Sequence, residues 1–226
     1  MGNFLILKLN GPMQAWGEHT FEGLRPSANF PTKSGLLGLL GACLGIRRNE
    51  RDRLQSLADS VGMAVRVDRR SVTRKNGQLR PLRVVKITDY HTVKDAREDY
   101  TGLKSHETIQ TWREYLYDVE FTVALWTRPN SAIKLDTLEQ AVKLPIFTPY
   151  LGRRSCPISR PLFHTTLESP DVLSALEQVG PYGGTIYTED TASDRMKRVR
   201  DVPLIHQPRQ FGGRNVYVHG GEHVPE

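Results

Sequence analysis

The sequence predicts an α+β protein, and three observations carry that prediction. Strand-type and helix-type apolar patterns alternate through the first two thirds of the chain. A polar, charged stretch at about 69–113 interrupts them, and a turn-rich tail follows Pro161. With the interruption set aside, the order is strand, helix, strand, strand, helix, then a Gly/Arg loop. That is five of the six elements of the ferredoxin-like (RRM-like) βαββαβ unit. The expected organisation is therefore a ferredoxin-like domain over 1–160, carrying an insertion, and a small, mostly β C-terminal part over 161–226.

Phe4 to Leu9 (FLILKL) reads as a buried opening strand. The stretch from Asn10 to Pro31, carrying Trp16, Phe21 and Phe30, is long for a connection without secondary structure of its own. Such loops are more often functional or wrapped on a partner. A helix then begins near Thr32 to Ser34 and runs through GLLGLLGACLGI, with Gly35, Gly38, Gly41 and Gly45 on one face. Each glycine costs about 1 kcal/mol relative to alanine. The stripe would let another backbone, protein or RNA, come close, or would pack on a sheet. Asn49 with Asp52 opens a second helix bearing Leu54, Leu57, Ala58 and Val61, and Met63 to Asp68 is a strand.

Within the insertion, Asn76-Gly77 signals the turn of a basic hairpin, and a short helical piece is expected near Ser105 to Glu114. Tyr115 to Trp126 alternates at Val119, Phe121, Val123 and Leu125 and reads as one long strand. Asp136 with Glu139 forms a capping-box pattern for a helix carrying Leu138, Ala141 and Val142, ended before Pro145. Pro170, Gly180-Pro181, Gly183-Gly184, Gly212-Gly213 and Gly220-Gly221 punctuate the tail.

Composition removes several classes. The 226 residues are 38% hydrophobic and 25% charged, which excludes disorder as a description of the whole chain. Cys43 and Cys156 cannot build a disulfide scaffold and lack metal-ligand spacing. With no signal peptide visible, a cytoplasmic setting is expected. The apolar run from Gly35 to Ile46 falls short of the roughly 20 residues that span a bilayer, so no membrane partner is expected.

The net charge of +6 is unevenly spread. Arg66 to Lys86 holds eight basic residues against one acid, while Asp89 to Glu120 holds four against eight. Lys143 to Arg160 holds four and no acid, and Ser193 to Arg214 six against two. Three basic clusters could converge on one groove that tracks a phosphate backbone, or could be separate solvated faces.

Thr32-Lys33-Ser34 looks like the end of a P-loop but lacks the required glycines, so only a helix start with Lys33 and Ser34 as phosphate candidates survives. The segment Pro149 to Pro157 combines a stacking surface (Tyr150), a flexible Gly152 and two guanidinium groups (Arg153, Arg154), which suits single-stranded RNA. An ordinary basic loop with Tyr150 packed inward is the alternative. In Lys104 to Arg113, Arg113 and Lys104 are binding candidates, although Lys104 could simply pair with Glu107. Trp112 suits a core or an interface better than a base. The histidines show no metal-binding pair, so neither metal nor cofactor is expected. Metal-independent RNA cleavage would need only an acid and a base, which His91 beside Tyr90 or His106 near Lys104 could supply.

Five strings, GPMQAWG (11–17), FPTKSGLLGLLGACLGI (30–46), DYHTV (89–93), GLKSHETIQTWREYL (102–116) and TPYLGRRSCP (148–157), together resemble the Cas-five family of CRISPR-associated Cascade subunits, subtype I-E. The resemblance runs from the first strand to about Phe163. It implies an RNA-binding subunit of the repeat-associated (RAMP) superfamily acting in antiviral defence, with a thumb inserted into a ferredoxin-like domain. Such a subunit caps one end of the complex and holds the repeat-derived 5′ tag of the CRISPR RNA. The thumb packs against the CasC backbone subunit, with the large CasA subunit close by. Tyr150 and Arg113 fall on positions expected to touch the tag, with Arg153 and Arg154 beside them. Cleavage in this subtype belongs to CasE, so a non-catalytic role is implied. Related Cas-five proteins of other subtypes do cut RNA, which keeps a metal-independent endoribonuclease as the alternative.

Overall fold

In a computed structural model, which describes residues 1–18, 23–94, 108–207 and 210–220, the opening apolar run forms β1 (Gly2–Asn10), buried from Phe4 to Leu9. The following stretch is not bare loop: it contains β2 (Met13–Gln14) and β3 (Leu24–Arg25). Helix α1 (Lys33–Cys43) starts at Thr32, whose hydroxyl accepts from Gly35 N–H at 3.3 Å. It stops where Gly45 turns left-handed at φ 68°, with Gly45 N–H donating to Ala42 O and Ile46 N–H to Gly41 O. The glycine stripe divides by position. Gly35 faces the Trp16 ring, Gly41 faces Leu54 on the next helix, and Gly38 faces open space.

Next come α2 (Arg51–Ser60), β4 (Val61–Val67), β5 (Ser71–Thr73) and β6 (Leu79–Pro81). The last two form the hairpin signalled by Asn76-Gly77, with Gly77 at φ 80°. Then β7 (Val85–Lys94) and β8 (Thr108–Tyr117) pair over ten residues. The helix expected at Ser105 to Glu114 is corrected from Thr108 onward: Thr108, Ile109, Thr111 and Trp112 suit a pleated strand, and the partner strand decides the matter. The single strand expected from Tyr115 to Trp126 is also corrected. Asp118 at φ 49° breaks it, so β8 ends in one sheet and β9 (Glu120–Thr127) begins in another.

Helix α3 (Leu135–Lys143) is capped at Lys134 without a side-chain bond, so the Asp136/Glu139 capping box does not form. Glu139 instead accepts from Lys143 at 2.6 Å and Thr166 at 2.6 Å. The tail supplies β10 (Phe163–Ser169), α4 (Val172–Glu177), β11 (Thr185–Thr188), β12 (Met196–Pro203) and β13 (Phe211–Gly220).

The described strands form a seven-stranded sheet in the order β10-β1-β9-β4-β11-β13-β12, with antiparallel neighbours throughout. The tail therefore extends the first sheet at both sides, and residue 160 does not divide that sheet. A second sheet places β8 between β7 on one side and β2 and β3 on the other. Period-two alternation distributes the core over two faces. Leu5, Leu7, Leu9, Val123 and Leu125 pack with α1 and α3, while Phe4, Ile6 and Ala124 pack with Val172, Ala175 and Leu176 of α4.

A buried charge cluster ties the tail to the sheet. Asp68 accepts from Lys8 Nζ at 3.2 Å, from Arg66 Nε at 2.6 Å and from the Thr122 hydroxyl at 2.6 Å. Lys8 also donates to Gly180 O at 2.6 Å, and Arg66 to Leu176 O. Burial pulls the Lys8 ammonium below its ordinary pKa, against the opposing pull of Asp68.

Candidate nucleic-acid interface

In the loop after α3, the turn over 151–156 is anchored at both ends. Leu151 and Cys156 are fully buried, Leu151 N–H donates to Cys156 O at 2.8 Å, and Ala15 N–H donates to Leu151 O at 3.1 Å. Gly152, at φ 87°, passes so close to the 11–17 segment that a Cβ would sit 1.8 Å from Ala15 O. A Cβ on Gly11 would likewise meet Pro157 O at 2.5 Å. Trp16 underlies this junction, its indole N–H donating to buried Gln14 at 3.1 Å and its ring lying edge-on to Phe121. Burial pushes both thiols up, Cys43 to about 12, so neither is a thiolate at neutral pH.

This anchoring leaves Tyr150, Gly152, Arg153, Arg154 and Ser155 on one wall of an open cleft of about 820 Å³. Arg113 and His91 of the β7–β8 hairpin form another wall, and Arg48 of the α1–α2 turn completes it. Arg113 and His91 share a hairpin face because Asp89 pairs with Arg113 and His91 with Thr111. Trp112 is on the opposite face against Tyr90, with ring centroids 5.4 Å apart, and it is exposed, not core.

The two loop arginines do different work. Arg153 donates to Glu114 O at 2.9 Å and Arg25 O at 3.0 Å, and its guanidinium lies 4.8 Å over the Tyr115 ring. It fastens the loop to β8 and β3 and keeps its charge at the cleft wall. Arg154 is exposed and has no partner among the described residues. Arg113 Nε is held by the Thr111 hydroxyl at 3.1 Å. His91 Nε2 lies 2.7 Å from Asp89 and 3.4 Å from the Tyr115 hydroxyl.

Lys33 is corrected. It is buried, its ammonium bonds Glu189 at 3.0 and 3.1 Å, and its N–H donates to Asp201 at 2.7 Å. Asp201 in turn takes a forked pair from Arg214 at 2.6 and 2.7 Å. The phosphate-like position at the start of α1 is thus filled by the protein's own carboxylate. Ser34, in the first turn of α1, does not line the cleft. Lys104 and His106 lie outside the described residues. No group of three or more metal-type ligands occurs among the described residues, and none of their helices is long and apolar enough to cross a membrane.

Residues 4–217 match the family model described as CRISPR-associated protein (Cas_Cas5). The CRISPR system Cascade subunit CasD of Escherichia coli (strain K12) is 54% identical over 220 residues, covering 96% of each chain. The chain belongs to the Cas5 family. A chain of a solved CRISPR RNA-guided surveillance complex superimposes with a TM-score of 0.70 at 27% identity, over 96% of this chain and 89% of that one. A solved Cas protein superimposes with a TM-score of 0.65 at 29% identity, over 96% and 94%.

In this Cas5 chain the residue that sequence reasoning missed is Arg48. Its signal was present: Arg47, Arg48, Arg51 and Arg53 fall within seven residues, but interleaved with Glu50 and Asp52. That mixture conceals a basic face until the pairing of each acid is known.

Proposed function

We propose that the chain is a non-catalytic RNA-binding subunit of a type I-E Cascade complex, holding the 5′ tag of a CRISPR RNA. The cleft supports this reading best. One stacking ring (Tyr150), an exposed guanidinium (Arg154) and further cations (Arg113, Arg153, Arg48) converge on an open groove suited to a single strand. The name of the Escherichia coli relative and the surveillance-complex neighbour support the assembly role. In this reading the core is ferredoxin-like, consistent with the order β10-β1-β9-β4 and with helices on the β1-to-β4 and β9-to-β10 crossovers. The β7–β8 hairpin is the thumb that meets the CasC backbone subunit, CasA lies nearby, and the assembly works in the cytoplasm.

The test is binding of tag RNA by the reconstituted complex. Tyr150→Ala removes a stacking platform worth about 1–3 kcal/mol, so affinity should fall roughly 5- to 150-fold. Unchanged RNA retention and assembly with both Tyr150→Ala and Arg154→Ala would refute the cleft assignment.

A second reading, metal-independent endoribonuclease, is favoured by one observation: His91 sits at the cleft between Asp89 and Tyr115, an arrangement able to move a proton. Repeat RNA incubated with the protein in EDTA separates the two. Specific cleavage that His91→Ala abolishes would replace the binding role with catalysis.

A further inference from the structure

The arginines of the α1–α2 turn do little for the fold. Arg53 bonds Glu50 at 2.6 Å, and Glu50 also accepts from Arg47 N–H at 2.7 Å. Those bonds, the Arg47 N–H foremost, hold the Glu50 carboxyl below its ordinary pKa. The carboxylate is therefore engaged by Arg53 and the turn backbone, with the Arg47 charge acting on it from farther off, and among the described residues no ion pair holds the guanidinium groups of Arg47, Arg48 or Arg51. All three residues are exposed. Arg51 occupies the first position of α2, where a cation opposes the helix dipole, so helix stability does not account for it. Its guanidinium reaches His206 O at 3.4 Å, in the turn after β12. Arg48 is a wall of the cleft itself. The positive wall thus runs out of the cleft, across the turn, to the β12–β13 connection.

Resting on the cleft reading above, we propose that this turn is a second phosphate-binding subsite, taking the sugar–phosphate backbone of single-stranded RNA where it leaves the cleft. Its chemistry is that of exposed guanidinium groups alone, so it binds without reading bases.

The experiment uses the full chain and oligouridylates of about 4 and about 12 nucleotides, lengths spanning typical single-strand site sizes. The variant is Arg47→Gln/Arg51→Gln, which leaves Arg48 in the cleft, and an unchanged Tm confirms its fold. Each lost phosphate contact lowers the slope of log affinity against log salt by about 0.7 for a single strand. The double variant should therefore lose about 1.4 from the long-strand slope, with weaker long-strand binding and unchanged short-strand binding. An unaltered long-strand slope overturns the proposal, as does an acidic peptide that competes for Arg47 and Arg51 while RNA length makes no difference. Tyr150→Ala in the same titrations reads the cleft separately. If it leaves short-strand binding intact, the cleft assignment fails, and the double variant still decides the turn.

Discussion

At Gly152 the left-handed backbone and the 1.8 Å approach to Ala15 O leave no room for a side chain. Gly152→Ala should destabilise the chain by at least about 1–3 kcal/mol from the strained backbone alone, read as a lower Tm, and it should displace Tyr150 as well. The neighbouring arginines then separate by measurement. Arg154→Ala should keep stability within about 0.5 kcal/mol and lower the salt slope of RNA binding by about 0.7. Arg153→Ala should lose both stability and affinity, because it breaks two bonds to carbonyl oxygens and a ring stack. Arg153→Lys should not rescue it, since an ammonium cannot reproduce the planar fork. Tyr150, Gly152 and Arg154 stood out in the sequence because they fall within five residues, and all three line the cleft. Lys33 was misread because Glu189 and Asp201, which engage it, stand 156 and 168 positions away.

Among the elements, the helix starts show what local pattern can and cannot reveal. Asp171 caps α4, accepting from Ser174 N–H at 2.8 Å and from its hydroxyl at 3.0 Å, and these bonds hold its carboxyl below the ordinary 3.8. A folded-state pKa below the unfolded one means the contribution is full above pH 3.8 and fades as pH falls through the folded value. Asp171→Ala should cost about 0.5–2 kcal/mol at neutral pH. Asp171→Asn should keep the cap and remove its acid sensitivity, as urea melts between pH 2 and 6 would show. At α3 the same kind of signature misled, because Glu139 had better partners in Lys143 and Thr166. The β7–β8 hairpin was half legible. The insertion around it and the Asn76-Gly77 turn of the neighbouring β5–β6 hairpin stood out, but β8 is a strand only because β7, β2 and β3 pair with it. Register of that kind is a long-range property, which a window of eleven residues does not contain.

For the whole molecule, β1, β4 and β9 were foreseeable from their apolar patterns, while β10 lay hidden in turn-rich sequence. A chain cut after residue 160 would lose the β1 partner on one side, the β4 partner on the other, and the Asp201 cap of α1. It should show no cooperative melting transition by calorimetry. The buried cluster makes a sharper version of this test. Asp68→Ala leaves Lys8 and Arg66 buried without their counter-charge, and breaking such a pair costs about 3–5 kcal/mol. Equilibrium urea unfolding should report that loss, together with early release of α4, which Arg66 holds through Leu176 O.

Among the described residues the sheet ends on β12, eight residues long and hydrogen-bonded to β13, with β13 as its one neighbour in the strand order. An open edge of that length is a template on which a second molecule could polymerise. Lys197, Arg198 and Arg200 punctuate it and Pro203 ends it. Two such edges meeting would crowd several cations together, which disfavours edge-to-edge pairing.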